Sequence, residues 1–172
     1  VLSYSTCVDI AVSRGAIIYP YRFRDESALA YAQSLGAVLA SHDRNASQGK
    51  FSLSPQSLLQ IPNGARLVLP SPNGATLSLT TGDVPTFAGC LSNSSAVASA
   101  AHKLGPRVTV IPAGERWPDG TLRPSLEDWI GAGAIIRHLH GEKSPEAQLA
   151  ESAFLHVRHD LAAFLGGCVS GR

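Results

Sequence analysis

Arg66-Leu-Val-Leu-Pro-Ser-Pro-Asn-Gly-Ala-Thr76 joins a short apolar run to a small polar turn that contains a glycine. An uninterrupted apolar run of this length is typical of a strand buried on both faces. Ser, Asn and Gly next to Pro favour a turn after it. Other short apolar runs alternate with segments of helical period, which is the pattern of α/β proteins. We therefore predict a three-layer α/β/α fold with a largely parallel or mixed sheet.

The remaining elements are predicted from the same two patterns, short apolar runs for strands and a helical period for helices. The predicted strands are the short apolar runs, Ala16–Tyr19, Ala37–Ala40, Arg66–Leu69, Thr86–Gly89 and Val108–Ile111. The predicted helices carry apolar residues every three or four positions, and they are Thr6–Ser13, Asp25–Leu35, Pro55–Leu59, Ser94–Leu104, Leu126–Leu139 and Pro145–Leu165. Ser54 before Pro55 is typical of an N-cap, and Ser125 three residues before Asp128 matches a capping box.

Size, charge and cysteine content restrict the class of protein. The 172 residues suffice for a single domain, which we predict over residues 1–172. Because 14 basic residues are scattered among 13 acidic ones, we expect no nucleic-acid partner. The apolar runs are shorter than the roughly 18 to 20 residues that span a bilayer, so we expect no membrane segment. Three widely spaced cysteines favour a cytoplasmic protein over a disulfide framework.

Three predicted strands are followed by small polar turns that lead towards helices, at 70–76, 90–95 and 113–116. In a parallel sheet such turns gather at the carboxyl ends of the strands, where helix N-termini attract anions. Asn73 and Gly74 can admit a left-handed backbone and a close ligand. The side-chain donors of these turns include Ser71, Asn93 and Ser94. The structural alternative is that Asn-Gly turns and Ser or Asn N-caps only begin helices.

The segment Gly114–Asp128 is the richest in chemistry. It interleaves four carboxylates with two guanidinium groups, namely Glu115, Asp119, Glu127, Asp128, Arg116 and Arg123. Mg²⁺ prefers one or two carboxylates with phosphate and water, and arginine binds phosphate or sulfonate through its planar fork. The alternative is that Asp128 caps its helix, Glu127 complements the helix dipole and Asp119-Gly120 makes a plain turn.

Histidine and cysteine give weaker signals. His138 and His140 end a helix, and His156 and His159 lie on the polar side of another, so we predict surface or C-cap residues. Cys7 is interpreted as a small buried residue rather than a nucleophile.

Several short motifs resemble the 2-phosphosulfolactate phosphatase family, in order and over nearly the whole chain. Val1-Leu-Ser-Tyr-Ser-Thr6 is similar to the family's opening motif, and Ser71-Pro-Asn-Gly74 to its Thr-Thr-Asn-Gly turn. Asn93-Ser-Ser-Ala-Val-Ala98 is similar to its Asn-Ala-Ser-Ala-Val-Ala segment, and Ser125-Leu-Glu-Asp128 completes the set. Ser3 stands where the family commonly has Arg, and the Asp that usually precedes the Val-Leu pair would lie upstream of Val1.

The resemblance implies a Mg²⁺-dependent phosphatase that hydrolyses 2-phospho-3-sulfolactate to 3-sulfolactate and phosphate, as in coenzyme M biosynthesis. From this resemblance we predict three catalytic residues, Glu127, Asp128 and Arg123. The predicted metal ligands are Glu115, Glu127 and Asp128. The predicted substrate-binding residues are Ser5, Thr6, Ser71, Asn73, Gly74, Asn93, Ser94 and Arg116. The sequence leaves open whether water attacks the phosphorus directly or after a transient phosphoenzyme.

Two alternatives to this function stay open at the sequence level. One is a non-catalytic anion-binding or assembly protein with the same fold, which Ser3 in place of Arg motivates. The other is a phosphatase for another phosphorylated hydroxy acid, which would use the same residues. An Ala-rich helix around Ala96–Ala101 also supports a homodimer.

Overall fold

The computed structural model describes residues 2–41, 43 and 51–168. The chain divides into two compact units, residues 3–88 and residues 89–172. The assignment of the whole chain to a single domain stays a prediction.

The first unit alternates helices with strands. Its elements are α1 (Leu2–Ser13), β1 (Ile17–Tyr21), α2 (Glu26–Leu35), β2 (Val38–Leu39), a 3-10 helix (Pro55–Leu58), β3 (Arg66–Pro70) and α3 (Gly74–Thr80). β3 lies between β1 and β2 and runs parallel to both, with Leu67 opposite Ile18 on one side and Val38 on the other. The α/β fold class and the parallel sheet are confirmed.

β3 is central because its apolar run can be buried on both faces. Leu67, Val68 and Leu69 are each 0% exposed, as an unbroken apolar run without polar alternation predicts. Leu67 and Leu69 join a core that also contains Cys7 and Ala11 of α1. The segment Arg66–Pro70 therefore forms the centre of the sheet, and the turn after it leads to α3.

The second unit is mainly helical. Its elements are α4 (Ser94–Leu104), β4 (Glu115–Arg116), β5 (Leu122–Arg123), α5 (Leu126–Ile136), α6 (Pro145–Val157) and α7 (Leu161–Gly166). α5 is buried without interruption from Ile130 to Ile136 and packs against α4 and α6. A Cβ at Gly133 would overlap the carbonyl of Ala150, so this glycine lets α5 and α6 approach closely.

Some predicted elements are wrong. Thr86–Gly89 and Val108–Ile111 form no strand with any described residue, because a short apolar run needs a neighbouring strand to pair with. Val108 and Ile111 are instead exposed. The predicted helix Pro145–Leu165 is broken between α6 and α7, where Asp160 is the N-cap of α7.

Three elements, one helix and two strands, have no counterpart among the predictions. α3 begins directly at Gly74, whose small size and position after Pro72 are typical of a turn rather than a helix. β4 and β5 form an antiparallel hairpin inside the segment Gly114–Asp128, called the acidic segment below. All three are too short for a periodic pattern to reveal them.

A helix that crosses a bilayer must be both long and apolar. Within the described ranges, no helix combines the two well enough to cross a bilayer.

Candidate active site

The turn after β3 lies at the carboxyl end of the first unit's sheet. Ser71 N donates to Tyr21 O at 3.0 Å and so ties the turn to the end of β1. Ser71 Oγ accepts from Gly74 N at 3.2 Å and caps the start of α3. The buried Ser71 thus holds the turn together, and its assignment to substrate binding stays a prediction.

Asn73 and Gly74 do not have the predicted left-handed backbone. Asn73 has a φ of −100°, and Gly74 has no positive φ. A Cβ at Gly74 would instead overlap the ring of Tyr4 in α1. The glycine therefore allows α3 to pack closely on α1, and a β-branched residue there would destabilise the fold itself. Roles for Asn73 and Gly74 towards a ligand stay predictions.

Ser5 and Thr6 lie inside a helix rather than at its start, because α1 begins at Leu2 and not at Thr6. Ser5 is buried and Thr6 is half-buried. Their assignment to the substrate also stays a prediction.

The turn before α4 is held by its own side chains. Asn93 Oδ1 accepts from Cys90 N at 2.8 Å, and Ser94 Oγ donates to Leu91 O at 3.2 Å. Ser92 Oγ lies 3.1 Å from Cys90 Sγ. α4 begins at Ser94, as predicted. These bonds fit the structural alternative for Asn93 and Ser94, and a ligand there stays a prediction.

Asp119 is a turn residue of the hairpin. Its Oδ1 accepts from Thr121 N at 2.9 Å and from Thr121 Oγ1 at 2.7 Å. These two bonds hold the pKa of Asp119 below its usual range. Gly120, with a φ of +83°, completes the turn in a conformation that favours glycine. The plain-turn interpretation of Asp119-Gly120 is confirmed.

The hairpin separates the two arginines. Glu115 pairs with Arg123 and Arg116 with Leu122, so Arg123 shares a face with Glu115 while Arg116 lies on the other face. The Arg123 guanidinium lies 5.8 Å from the ring centre of Trp117. Arg116 Nη1 donates to Gly120 O at 2.7 Å. The two guanidinium groups are thus not placed side by side.

The start of α5 brings buried carboxylates together. Glu127 is 3% exposed and Asp128 is 9% exposed. Asp128 Oδ2 accepts from Gly114 N at 2.8 Å, and Gly114 reaches this position with a φ of +68°. Burial raises the pKa of Asp128, an effect that the Gly114 bond partly offsets. Asp128 therefore accepts a hydrogen bond from a residue 14 positions before it. This bond is not a helix cap, because a cap joins residues within the first turn.

Ser125 occupies the N-cap of α5 without acting as a cap. Its side chain makes no capping hydrogen bond, which contradicts this half of the predicted capping box. The residue is 5% exposed, and among the described residues its Oγ has no hydrogen-bond partner. Buried hydroxyls are almost always bonded, so this one is unusual.

The buried carboxylates could hold a magnesium ion, which needs few protein ligands. Among the described residues, no group of three or more His, Cys, Asp or Glu side chains lies close enough to hold a metal. Mg²⁺ commonly needs only one or two carboxylates and takes its other oxygens from substrate and water. Glu127 and Asp128 supply such oxygens in a buried setting. Glu115 is half-buried, and its place in the same ion site stays a prediction.

The weaker candidates have the positions that the sequence predicted. His138, His140, His156 and His159 are all exposed. Cys7 is 0% exposed and belongs to the core of the first unit.

The order of these motifs matches a known family. A family model described as 2-phosphosulpholactate phosphatase matches residues 1–172. The chain belongs to this family. A 2-phosphosulfolactate phosphatase from Methanothermobacter thermautotrophicus is 32% identical over 135 residues, which cover 77% of this chain and 54% of that relative. The chain thus spans about half the length of the curated relative it matches, and the resemblance inferred from the motifs is confirmed.

In this member of the 2-phosphosulpholactate phosphatase family, the buried part of the acidic segment is Gly114, Ser125, Glu127 and Asp128. The sequence singled out both carboxylates but missed the amide of Gly114 and the hydroxyl of Ser125. The Ser-x-x-Asp spacing pointed to Ser125, although as a cap. No sequence signal indicated that Gly114 would donate to Asp128, since the hairpin that brings them together was not predicted.

Proposed function

We propose that the full-length protein is a Mg²⁺-dependent phosphatase that hydrolyses 2-phospho-3-sulfolactate to 3-sulfolactate and phosphate. Membership of the family and the name of its relative support this substrate. The observation that carries the proposal is the buried carboxylate pair at the start of α5, with Asp128 fixed by the Gly114 amide at 2.8 Å. Buried ionisable groups are common at functional sites, which makes this pair a candidate for the chemistry.

Asp128 and Glu127 are the residues proposed to hold the ion. Bound Mg²⁺ would polarise the phosphoryl oxygens and offset charge that develops on them. Asp128 suits a ligand role because the Gly114 N–H fixes its position before the ion arrives.

The chemical step transfers a phosphoryl group to water. A water oxygen forms a bond to phosphorus, the ester P–O bond breaks, and the leaving alkoxide takes a proton from solvent to give the hydroxy acid. In the direct form of the reaction, Glu127 accepts the proton that the attacking water loses. A phosphoenzyme would divide this step into two, with water entering second.

Arg123 is the residue proposed to neutralise the phosphate or the sulfonate. Its guanidinium can form two parallel bonds to either anion, and its contact with Trp117 limits the conformations of its side chain. It would also supply a guanidinium to a chain whose Ser3 stands where the family commonly has Arg. The Arg116 side chain, on the other face of the hairpin, is assigned a weaker role.

The experiment is phosphate release by the full-length protein from 2-phosphosulfolactate. We expect hydrolysis with Mg²⁺ or Mn²⁺ and none in excess EDTA, because carboxylate oxygens select such ions. A matched substrate, 2-phospholactate, lacks only the sulfonate, and we expect it to react more slowly.

The outcomes separate the alternatives. Full activity in excess EDTA would remove Mg²⁺ from the proposal. Equal turnover of 2-phospholactate would assign the protein to other phosphorylated hydroxy acids. Binding of the substrate without any phosphate release would favour the non-catalytic anion-binding protein.

A further inference from the structure

Resting on the proposed function, we propose that the Ser125 hydroxyl is a ligand of the divalent cation, beside Asp128 at the start of α5. Nothing in the motif-based prediction assigned Ser125 a chemical role. The inference starts from a buried oxygen without a partner, at the first turn of an 11-residue helix.

Ser125 and Asp128 belong to the same first turn of α5. They are the N-cap and third residues of α5. Asp128 N donates to Ser125 O at 3.2 Å, which fixes the first turn. The Gly114 N–H at 2.8 Å fixes the carboxylate from the other side. The two residues are thus held in one helical turn, with the position of the Asp128 carboxylate fixed.

A structural role does not account for the hydroxyl. A serine N-cap normally stabilises a helix by accepting a bond from one of the first amides, and Ser125 makes no such bond. Ser144, the N-cap of α6, shows the ordinary case, because its Oγ accepts from Ala147 N at 3.3 Å. An alanine at position 125 would bury no unpaired hydroxyl, so the hydroxyl implies a partner that is not part of the described protein.

Charge decides which partner fits. A helix N-terminus alone carries about half a positive charge and attracts anions. Here the same turn carries two buried carboxyl groups, those of Glu127 and Asp128, whose oxygens are the ligands that a hard cation prefers. A cation is therefore favoured over a bare phosphate. Magnesium sites that combine a Ser or Thr hydroxyl with an Asp carboxylate are known from nucleotide hydrolases.

The experiment measures metal affinity and metal-free stability in the full-length protein. Mn²⁺ is titrated and followed through the paramagnetic resonance signal of the unbound ion, with Mg²⁺ as competitor. We expect Ser125→Ala to weaken Mn²⁺ binding by roughly tenfold or more. The melting temperature of the metal-free variant should stay the same or rise, since no cap is lost. Ser125→Thr keeps the hydroxyl and should retain most of the affinity.

Ser144→Ala is the matched control. It should lower the melting temperature by roughly 2 to 4 °C and leave Mn²⁺ affinity unchanged, because it removes a real cap far along the chain from the acidic segment. If Ser125→Ala does not fold, Ser125→Gly takes its place, since glycine is tolerated at N-caps.

Three results would overturn the inference. They are unchanged Mn²⁺ affinity in Ser125→Ala, a loss of metal-free stability like that of Ser144→Ala, and weakened binding of inorganic phosphate without weakened Mn²⁺ binding. Each leaves the proposed function standing as long as the wild-type protein releases phosphate. Loss of the function itself would show as no phosphate release by the wild type.

Discussion

At the scale of single residues, burial decides what the carboxylates of the acidic segment can do. Asp119 is exposed and bonded within its turn, and its pKa is lowered by Thr121. Asp128 is buried, and burial raises its pKa. The sequence places both residues in one acidic stretch and cannot tell them apart, because the difference arises from which of them the hairpin and α5 cover.

Asp128→Asn should stabilise the metal-free protein, and the gain should grow with pH. Because its folded pKa is raised, Asp128 costs no stability below its unfolded pKa, and the full cost is reached as the pH rises through the folded pKa. Asn keeps an acceptor for the Gly114 N–H and removes the charge. Urea unfolding at about pH 4 and about pH 8 should show the two proteins alike at the lower pH and the variant more stable at the higher one.

Asp119→Asn is the control with the opposite sign. Its lowered pKa means that ionised Asp119 contributes stability above the unfolded pKa, which is lost as the pH falls through the folded pKa. This variant should therefore lose a little stability at neutral pH. A gain in both variants would show that removing any negative charge stabilises the protein. Burial of Asp128 would then not be the cause.

Residue-level prediction from the sequence succeeded where the cause is local. Ser71, Asn93 and Asp119 have the turn and cap bonds that their residue types favour. It failed at Gly74, because the contact that explains the glycine comes from Tyr4, 70 positions earlier by residue number. Ser125 is the intermediate case, since its position was predicted and its missing bond was not.

At the scale of elements, most helices and the three strands of the parallel sheet were predictable, and the strands of the hairpin were not. α4 has the predicted bounds, and α2 begins one residue after the predicted start, with Asp25 as its N-cap. β4 and β5 have two residues each, too few for alternation to show. Val108–Ile111 has strand-like composition, yet a strand exists only where a partner offers its backbone.

The contact of α5 with α6 gives an element-scale prediction. A Cβ at Gly133 would meet Ala150 O and Phe154 Cβ, whereas a Cβ at Gly131 in the same helix meets nothing within 4 Å. Gly131→Ala should therefore stabilise the protein by up to about 1 kcal/mol, through helix propensity alone. Gly133→Ala should destabilise it by roughly 1 to 3 kcal/mol, because the helices must move apart.

Chemical denaturation of the two single variants measures this difference. Equal stabilisation by both alanines would contradict the close approach of α5 and α6 at Gly133. Since neither glycine has been assigned to the site, a change in stability can be read without a change in chemistry.

At the scale of the whole molecule, the α/β class and the family could be predicted from the sequence, and the arrangement of the site could not. The class follows from the alternation of short apolar runs with amphipathic segments, and three of the five predicted strands form the parallel sheet. The family follows from short motifs in the right order. Within the second unit, the bond from Gly114 to Asp128 joins residues 14 positions apart through a short hairpin, and no local pattern encodes it.

The central claim is that chemistry takes place at the start of α5, and steady-state kinetics of Glu127→Gln test it most directly. Gln preserves the size and helix propensity of Glu127 and removes its charge. In the full-length protein acting on 2-phosphosulfolactate with Mg²⁺, we expect kcat to fall by roughly a hundredfold or more. The melting temperature of the metal-free variant should stay nearly unchanged. Asp119→Asn, a carboxylate of the same segment, should keep its kcat. A Glu127→Gln variant that melts earlier and turns over normally would contradict the claim and leave Glu127 a structural residue.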